Sequence, residues 1–238
     1  FHLQFFQCTQ LIDLNIKRLL LNLKIGRESL WNYNRFLVMK LDIKNTPKRL
    51  KKKEAILDSA LNIFAEHGYI NTRLEQITDA LDLTDKSIYY YFSSKGDLFI
   101  EVILLLQGKL NSLIDRIDNK DCNHHEKIKL YTSHAMSIHG LTLLMKLPQS
   151  LSEFSKYDAI KSNEISQYKI WTQWFKKGQL EGSIIQGDAP EQRNFLFGSL
   201  FYLHEWHSIR DSESYSKIQP FIELMIDRMY STNYNKTQ

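Results

Sequence analysis

The sequence predicts an all-α protein, a three-helix head followed by a larger helical body. Two observations carry the class. Apolar residues recur at three-and-four spacing from about residue 48 to about 229, with no convincing period-two run. Glycine and proline are scarce, 9 and 4 in 238 residues, which disfavours a turn-rich β architecture. A composition of 43% hydrophobic and 24% charged residues fits a globular chain rather than a disordered one.

The elements follow in order. Ile56, Ala60 and Phe64, with Leu57, Leu61 and Ile63 beside them, make the buried stripe of a first helix. His67-Gly68 closes it, the glycine supplying a left-handed cap. Thr72 reads as the N-cap of a second short helix whose inward residues are Leu74, Ile77 and Leu81. Leu81-Asp82-Leu83 is a tight turn, and Thr84 caps a third helix over 85–91. Residues 95–118 read as one long helix carrying Leu98, Val102, Leu106, Leu110 and Ile114. Helices are then expected over roughly 124–139, 141–155, 159–180, 190–210 and 215–229, with Gly182, Gly187 and Pro190 marking one junction.

Two short helices joined by a tight turn and braced by a longer one are the parts of a helix-turn-helix. The second helix of such a unit offers its N-terminal residues to base edges in the major groove. Within 85–91, Ile88 and Tyr91 face the core, which leaves Thr84, Lys86 and Ser87 at the exposed start and Tyr89 and Tyr90 beside the groove. Lys95 would add a cation at a helix N-terminus, a favourable phosphate site, and Thr72 and Arg73 would do the same for the second helix. Between residues 40 and 53 seven basic residues stand against one acid, Asp42, the usual footprint for a polyanion. On spacing alone, a helical hairpin with surface tyrosines fits the same residues.

Over residues 55–103 the chain resembles the N-terminal domain of TetR-type transcriptional regulators. The matching residues are Ile56-Leu57, Ala60, Leu61, Phe64, Gly68, Thr72, Ile77, Leu83, Ser87-Ile88-Tyr89, Tyr91-Phe92 and Ser94-Lys95. A weaker echo covers Gln179-Leu180-Glu181-Gly182, Asp188 and Gly198. The resemblance implies a homodimeric regulator, usually a repressor that a small ligand releases from a palindromic operator. It places DNA contacts on Thr72, Arg73, Thr84, Lys86, Ser87, Tyr89, Tyr90 and Lys95. Asp82 departs from the family's common Gly or Asn, and Thr78 from its common Ala; aspartate tolerates such a turn. Alternatives are a DNA-architectural protein without an effector and a helical ligand-binding protein without DNA function.

In the body, Tyr131, Met136, Phe154, Tyr168, Trp171 and Trp174 are the candidate lining of an effector cavity, which suits a lipophilic or aromatic ligand. The same stripe fits plain core. Phe197, Gly198 and Phe201, with Phe221 and Met225, would pair with their copies as a four-helix dimer interface. The expected division is a head over 39–94 and a body over 95–238. Residues 1–38, ahead of the first methionine, Met39, read as a non-native or disordered extension.

The remaining motifs exclude more than they suggest. His204 and His207 share a helix face but lack the spacing of zinc hydrolases and a third ligand, so no metal is expected. No nucleophile elbow, phosphate-binding glycine loop or dinucleotide fingerprint occurs, so neither catalysis nor a cofactor is expected. Cys8 and Cys122 make no disulfide framework, and no apolar run reaches membrane-spanning length; a cytoplasmic location is the expectation.

Overall fold

The structure is a computed structural model that describes residues 46–154, 156–207 and 212–232. The expectation for 1–38, and basic residues Lys40 and Lys44, lie outside the described residues. The chain groups into two compact units, Phe1–Leu50 and Lys51–Gln238. Of the first, only 46–50 are described, and four of these open helix α1.

Helix α1 (Pro47–Asn71) breaks at Gly68, where φ is 75° and ψ is 166°. That backbone is open to glycine at little cost and to other residues only with strain. Helix α2 (Leu74–Asp79) is capped by Arg73, not by Thr72 as the sequence predicts. The Arg73 N–H donates to Gln76 Oε1 at 2.7 Å, while the Thr72 hydroxyl turns back to the Gly68 carbonyl at 2.7 Å. Asp82 takes the left-handed conformation, φ 51°, and supplies the turn the family commonly gives to Gly or Asn. Thr78, buried, lies 3.0 Å from the Glu75 carbonyl and 3.1 Å from Asp85 Oδ1, joining α2 to α3.

Helix α3 (Asp85–Tyr89) is two residues shorter than predicted. Ile88 and Phe92 are fully buried, which fixes its roll on the head. Each contributes about 1.5–3 kcal/mol by leaving water. Helix α4 (Lys95–Asp118) begins and ends where the sequence places it. Ser94 Oγ accepts from Asp97 N–H at 3.1 Å and Asp97 Oδ2 accepts from Ser93 N–H at 3.1 Å, a reciprocal cap. The head core centres on Phe64 and Phe99, edge-to-face at 4.9 Å, and continues onto Leu143, Leu151 and Ile160 of the body.

Helix α5 (His124–Met136) packs on α4, and α6 (Leu141–Met145) follows Gly140, whose φ is 80°. The single helix expected over 141–155 is not formed. Residues preceding proline are pushed out of the helical region, so α6 ends ahead of Pro148 and a 3₁₀ turn occupies Gln149–Glu153. Helix α7 (Tyr157–Leu180) packs on α4 and α5, α8 (Ala189–His207) on α7, and α9 (Ser212–Tyr230) on α5. Trp171, Trp174 and Phe175 are the largest side chains of this second core. Ile184 and Ser231 form an isolated bridge, and no described residue lies in an extended sheet.

Candidate nucleic-acid interface and body cavity

Burying Ile88 and Phe92 forces the rest of α3 outward. Tyr89 is 57% exposed and Tyr90 64%, and Thr84, Asp85 and Lys86 are exposed at the helix start. Ser87 is half-buried, its hydroxyl 3.2 Å from that of Thr84. Tyr91 packs against the head core, as predicted. Arg73 is exposed at the start of α2, and Lys51 and Lys52 are exposed on α1. One short helix thus presents two phenols, a cation and hydroxyls on a fixed base.

Two side chains expected at this surface are occupied inside. Thr72 is 1% exposed. Lys95 donates to the carbonyls of Tyr69 and Thr72, each at 2.9 Å, and lies 4.6 Å from the centre of the Tyr69 ring. Lys95 therefore ties the broken end of α1 to the start of α4 and sets the turn that carries Arg73.

A body segment grips the same first turn of α4. The Phe154 ring covers Gly96: a Cβ added there would lie 2.7 Å from Phe154 Cε2. Lys156 pairs with Asp97 at 3.2 Å and with Glu101, and Glu101 also holds Lys53 of α1 at 3.3 Å. Partial burial pushes the Asp97 carboxyl up, but the Ser93 N–H and the Lys156 ammonium outweigh it and hold the group below its ordinary range. A depressed folded pKa stabilises above the unfolded value, near 3.9, and that stability is lost as pH falls through the folded pKa. Asp97→Asn is therefore expected to flatten the loss of stability below about pH 4 in urea unfolding. An unchanged slope would remove Asp97 from the grip.

The body carries a half-open cavity of about 560 Å³ between α4, α5, α6, α7 and α8. Tyr131, Met136, Tyr168 and Trp171 line it, with Leu144 and Phe197. Tyr131 meets Trp171 edge-to-face at 4.8 Å, and burial pushes its phenol far up, so it stays neutral. The Thr132 hydroxyl, 1% exposed, also lines the cavity and has no partner among the described residues. Lys161 and Glu164, paired at 2.8 Å, supply a charged edge. Among the described residues no group of three His, Cys, Asp or Glu could hold a metal ion, and no helix is long and apolar enough to cross a membrane.

The sequence profile of bacterial regulatory proteins of the tetR family matches residues 56–102, the head just described. The match is confined to the head, which carries the sequence pattern of that family. The chain is 42% identical over 65 residues to the HTH-type transcriptional regulator RutR of Escherichia coli (strain K12), a match covering 26% of this chain and 31% of RutR. The matched region thus spans about a third of that relative. A longer match, 26% identical over 153 residues, covers 61% of this chain and 77% of the fatty acid metabolism regulator protein of Bacillus subtilis (strain 168). The solved structure of the ketosteroid transcriptional regulator KstR2 of Mycobacterium tuberculosis shares the fold at TM-score 0.66 and 18% identity, covering 76% of this chain and 95% of that one. AibR, solved with isovaleryl coenzyme A and operator DNA, shares it at TM-score 0.63 and 14% identity, with 75% and 97% covered. These proteins are regulators; none is named as an enzyme.

The cavity gathers Tyr131, Met136, Tyr168 and Trp171 of the six predicted lining residues. Phe154 instead sits on Gly96, and Trp174 lies behind the wall, donating from Nε1 to Asp118 Oδ1 at 2.8 Å. Phe197, Gly198 and Phe201, expected at a dimer interface, line the cavity. Met225 is half-buried against the body core, while Phe221 is 69% exposed. The outward apolar residues of α8 and α9 are Phe195, Tyr202, Trp206, Phe221 and Leu224. Helical spacing marks Phe195, Tyr202 and Trp206 as one face, a face not singled out from the sequence.

Proposed function

We propose that this chain is a sequence-specific DNA-binding transcriptional regulator, a cytoplasmic homodimer acting as a repressor that a small lipophilic or aromatic ligand releases from a palindromic operator. The observation that carries the DNA reading is α3, locked by Ile88 and Phe92 with Lys86, Tyr89 and Tyr90 turned to solvent. The residues proposed to touch DNA directly are Arg73, Thr84, Lys86, Ser87, Tyr89 and Tyr90. Thr72 and Lys95 act beneath them. In this reading 39–94 is the DNA-binding head and 95–238 the effector and dimerisation body.

The ligand reading rests on the aromatic cavity and the unpartnered Thr132 hydroxyl within it. The similarity to a fatty acid metabolism regulator and to a protein solved with isovaleryl coenzyme A favours a lipophilic effector. Tyr157 and Leu147 line the cavity, and the chain between them carries Phe154 and Lys156 to the start of α4. A ligand that shifts this segment would select a body arrangement in which two recognition helices no longer stand about 34–36 Å apart. The exposed apolar residues of α8 and α9 are the proposed contact with a second copy.

Titrating the protein against the DNA upstream of its own coding region tests the reading. A palindromic footprint with affinity about 10³-fold or more above random DNA is expected. Equal, steeply salt-dependent binding to both DNAs would replace it with an architectural role.

A further inference from the structure

The polar groups bordering the aromatic cavity have internal partners, with one exception. Gln107 donates from Nε2 to the Ile160 carbonyl at 3.1 Å and accepts from Asn163 at 3.0 Å. Gln167 donates to Asn111 at 2.8 Å. Lys161 and Glu164, the charged residues among the described lining, pair with each other at 2.8 Å. The exception is Thr132, whose buried hydroxyl meets no partner among the described residues.

That isolation departs from the habit of this chain. A hydroxyl inside a helix commonly turns back to the carbonyl four residues earlier. Ser112 does so at 3.0 Å, Ser166 and Ser199 at 2.9 Å, and Thr172 at 2.8 Å. Thr132, inside α5, does not. Its hydroxyl can donate one hydrogen bond and accept others. Leaving it unpaired costs free energy that a bound oxygen would return.

The setting selects the kind of oxygen. Tyr131, Met136, Trp171 and Leu200, all nearly buried, supply apolar surface to the same cavity. A carboxylate or ammonium placed among them would give up water without gaining an opposite charge, since Lys161 and Glu164 already neutralise each other. An uncharged carbonyl or hydroxyl loses far less on leaving water.

Building on the reading of this cavity as the effector site, we infer that its ligand is an uncharged, oxygen-bearing lipophile. An apolar or aromatic body fills the cavity, and a carbonyl or hydroxyl oxygen pairs with the Thr132 hydroxyl. Thr132 therefore separates such a molecule from the plain hydrocarbon and from the ionised acid of similar shape.

Isothermal titration of the full chain with butyrophenone, its hydrocarbon counterpart butylbenzene and the acid phenylbutyrate tests this. Saturable binding of butyrophenone is expected. Thr132→Val keeps the shape and removes the hydroxyl; it should weaken butyrophenone roughly three- to tenfold and leave butylbenzene unchanged. Thr132→Ser keeps the hydroxyl and should hold the ketone within about twofold of the parent chain. Without ligand, Thr132→Val should be no less stable in urea unfolding, because no internal hydrogen bond is lost. A marked loss there would reveal an internal partner and overturn the inference. Three further results would overturn it while leaving the cavity a site for lipophiles: Thr132→Val changing ketone and hydrocarbon alike, butylbenzene binding without butyrophenone, or phenylbutyrate binding tighter than the ketone. Failure of all three probes to bind would overturn the inference and the effector reading together.

Discussion

Replacing Lys86 and Tyr89 together by alanine is expected to lower affinity for the operator by roughly 10²–10³-fold while leaving the fold intact. Both side chains stand in solvent on α3, and neither belongs to the head core. Their loss therefore removes contacts to DNA without opening a cavity. The two losses should also differ in kind. Removing Lys86 should reduce the slope of log affinity against log salt by about one if the ammonium neutralises a phosphate. Removing Tyr89 should leave that slope alone. Gel-shift titration at several salt concentrations, beside circular dichroism, separates these outcomes. An unchanged affinity for the double variant would dismiss α3 as the recognition helix. Lys95→Ala should behave otherwise, because its ammonium holds the carbonyls of Tyr69 and Thr72. Its loss should lower affinity and thermal stability together, and addition of DNA should restore part of the order.

Gly96→Ala is expected to separate the body segment from the head. The new methyl group would overlap the Phe154 ring, which must leave its seat or push α4 aside. Overpacking of this sort costs typically about 1–3 kcal/mol. The test is a double-mutant cycle in urea unfolding. Phe154→Ala removes the obstacle, so the double variant should be little less stable than Phe154→Ala alone, a clear departure from additivity. Additive losses would show that the methyl group offends something else. In DNA binding, Gly96→Ala should leave recognition measurable but blunt any response to a ligand in the aromatic cavity, since Tyr157 and Leu147 line that cavity on either side of Phe154.

The head was largely legible because local rules and tertiary packing agree there. The apolar spacing of 56–64, Gly68 at a backbone suited to glycine, and the cap at Ser94 all specify structure within a few residues of themselves. Ile88 likewise predicts its own burial and hence the exposure of Tyr89 and Tyr90. Misreadings arise where partners are distant in sequence. Nothing near Lys95 shows that its ammonium will meet the Tyr69 carbonyl, 26 residues earlier. Phe154 looks like any aromatic at helical spacing, and its real partner is the missing side chain of Gly96. Pro148 is a local signal against one helix over 141–155, set within an apolar run that imitates helical spacing. In α8, alternating aromatics supply both an inward and an outward face, and composition does not tell the two apart.

Three tryptophans among the described residues occupy three unlike settings. Trp171 borders the aromatic cavity, Trp174 lies sealed behind it against Asp118, and Trp206 is 78% exposed on α8. The chain consequently carries its own optical reporters. A quencher dissolved in water should reach Trp206 readily and Trp174 hardly at all, so red and blue edges of the emission describe different parts of the molecule. Occupation of the cavity would speak through Trp171, and shielding of the α8 face through Trp206, without any added label.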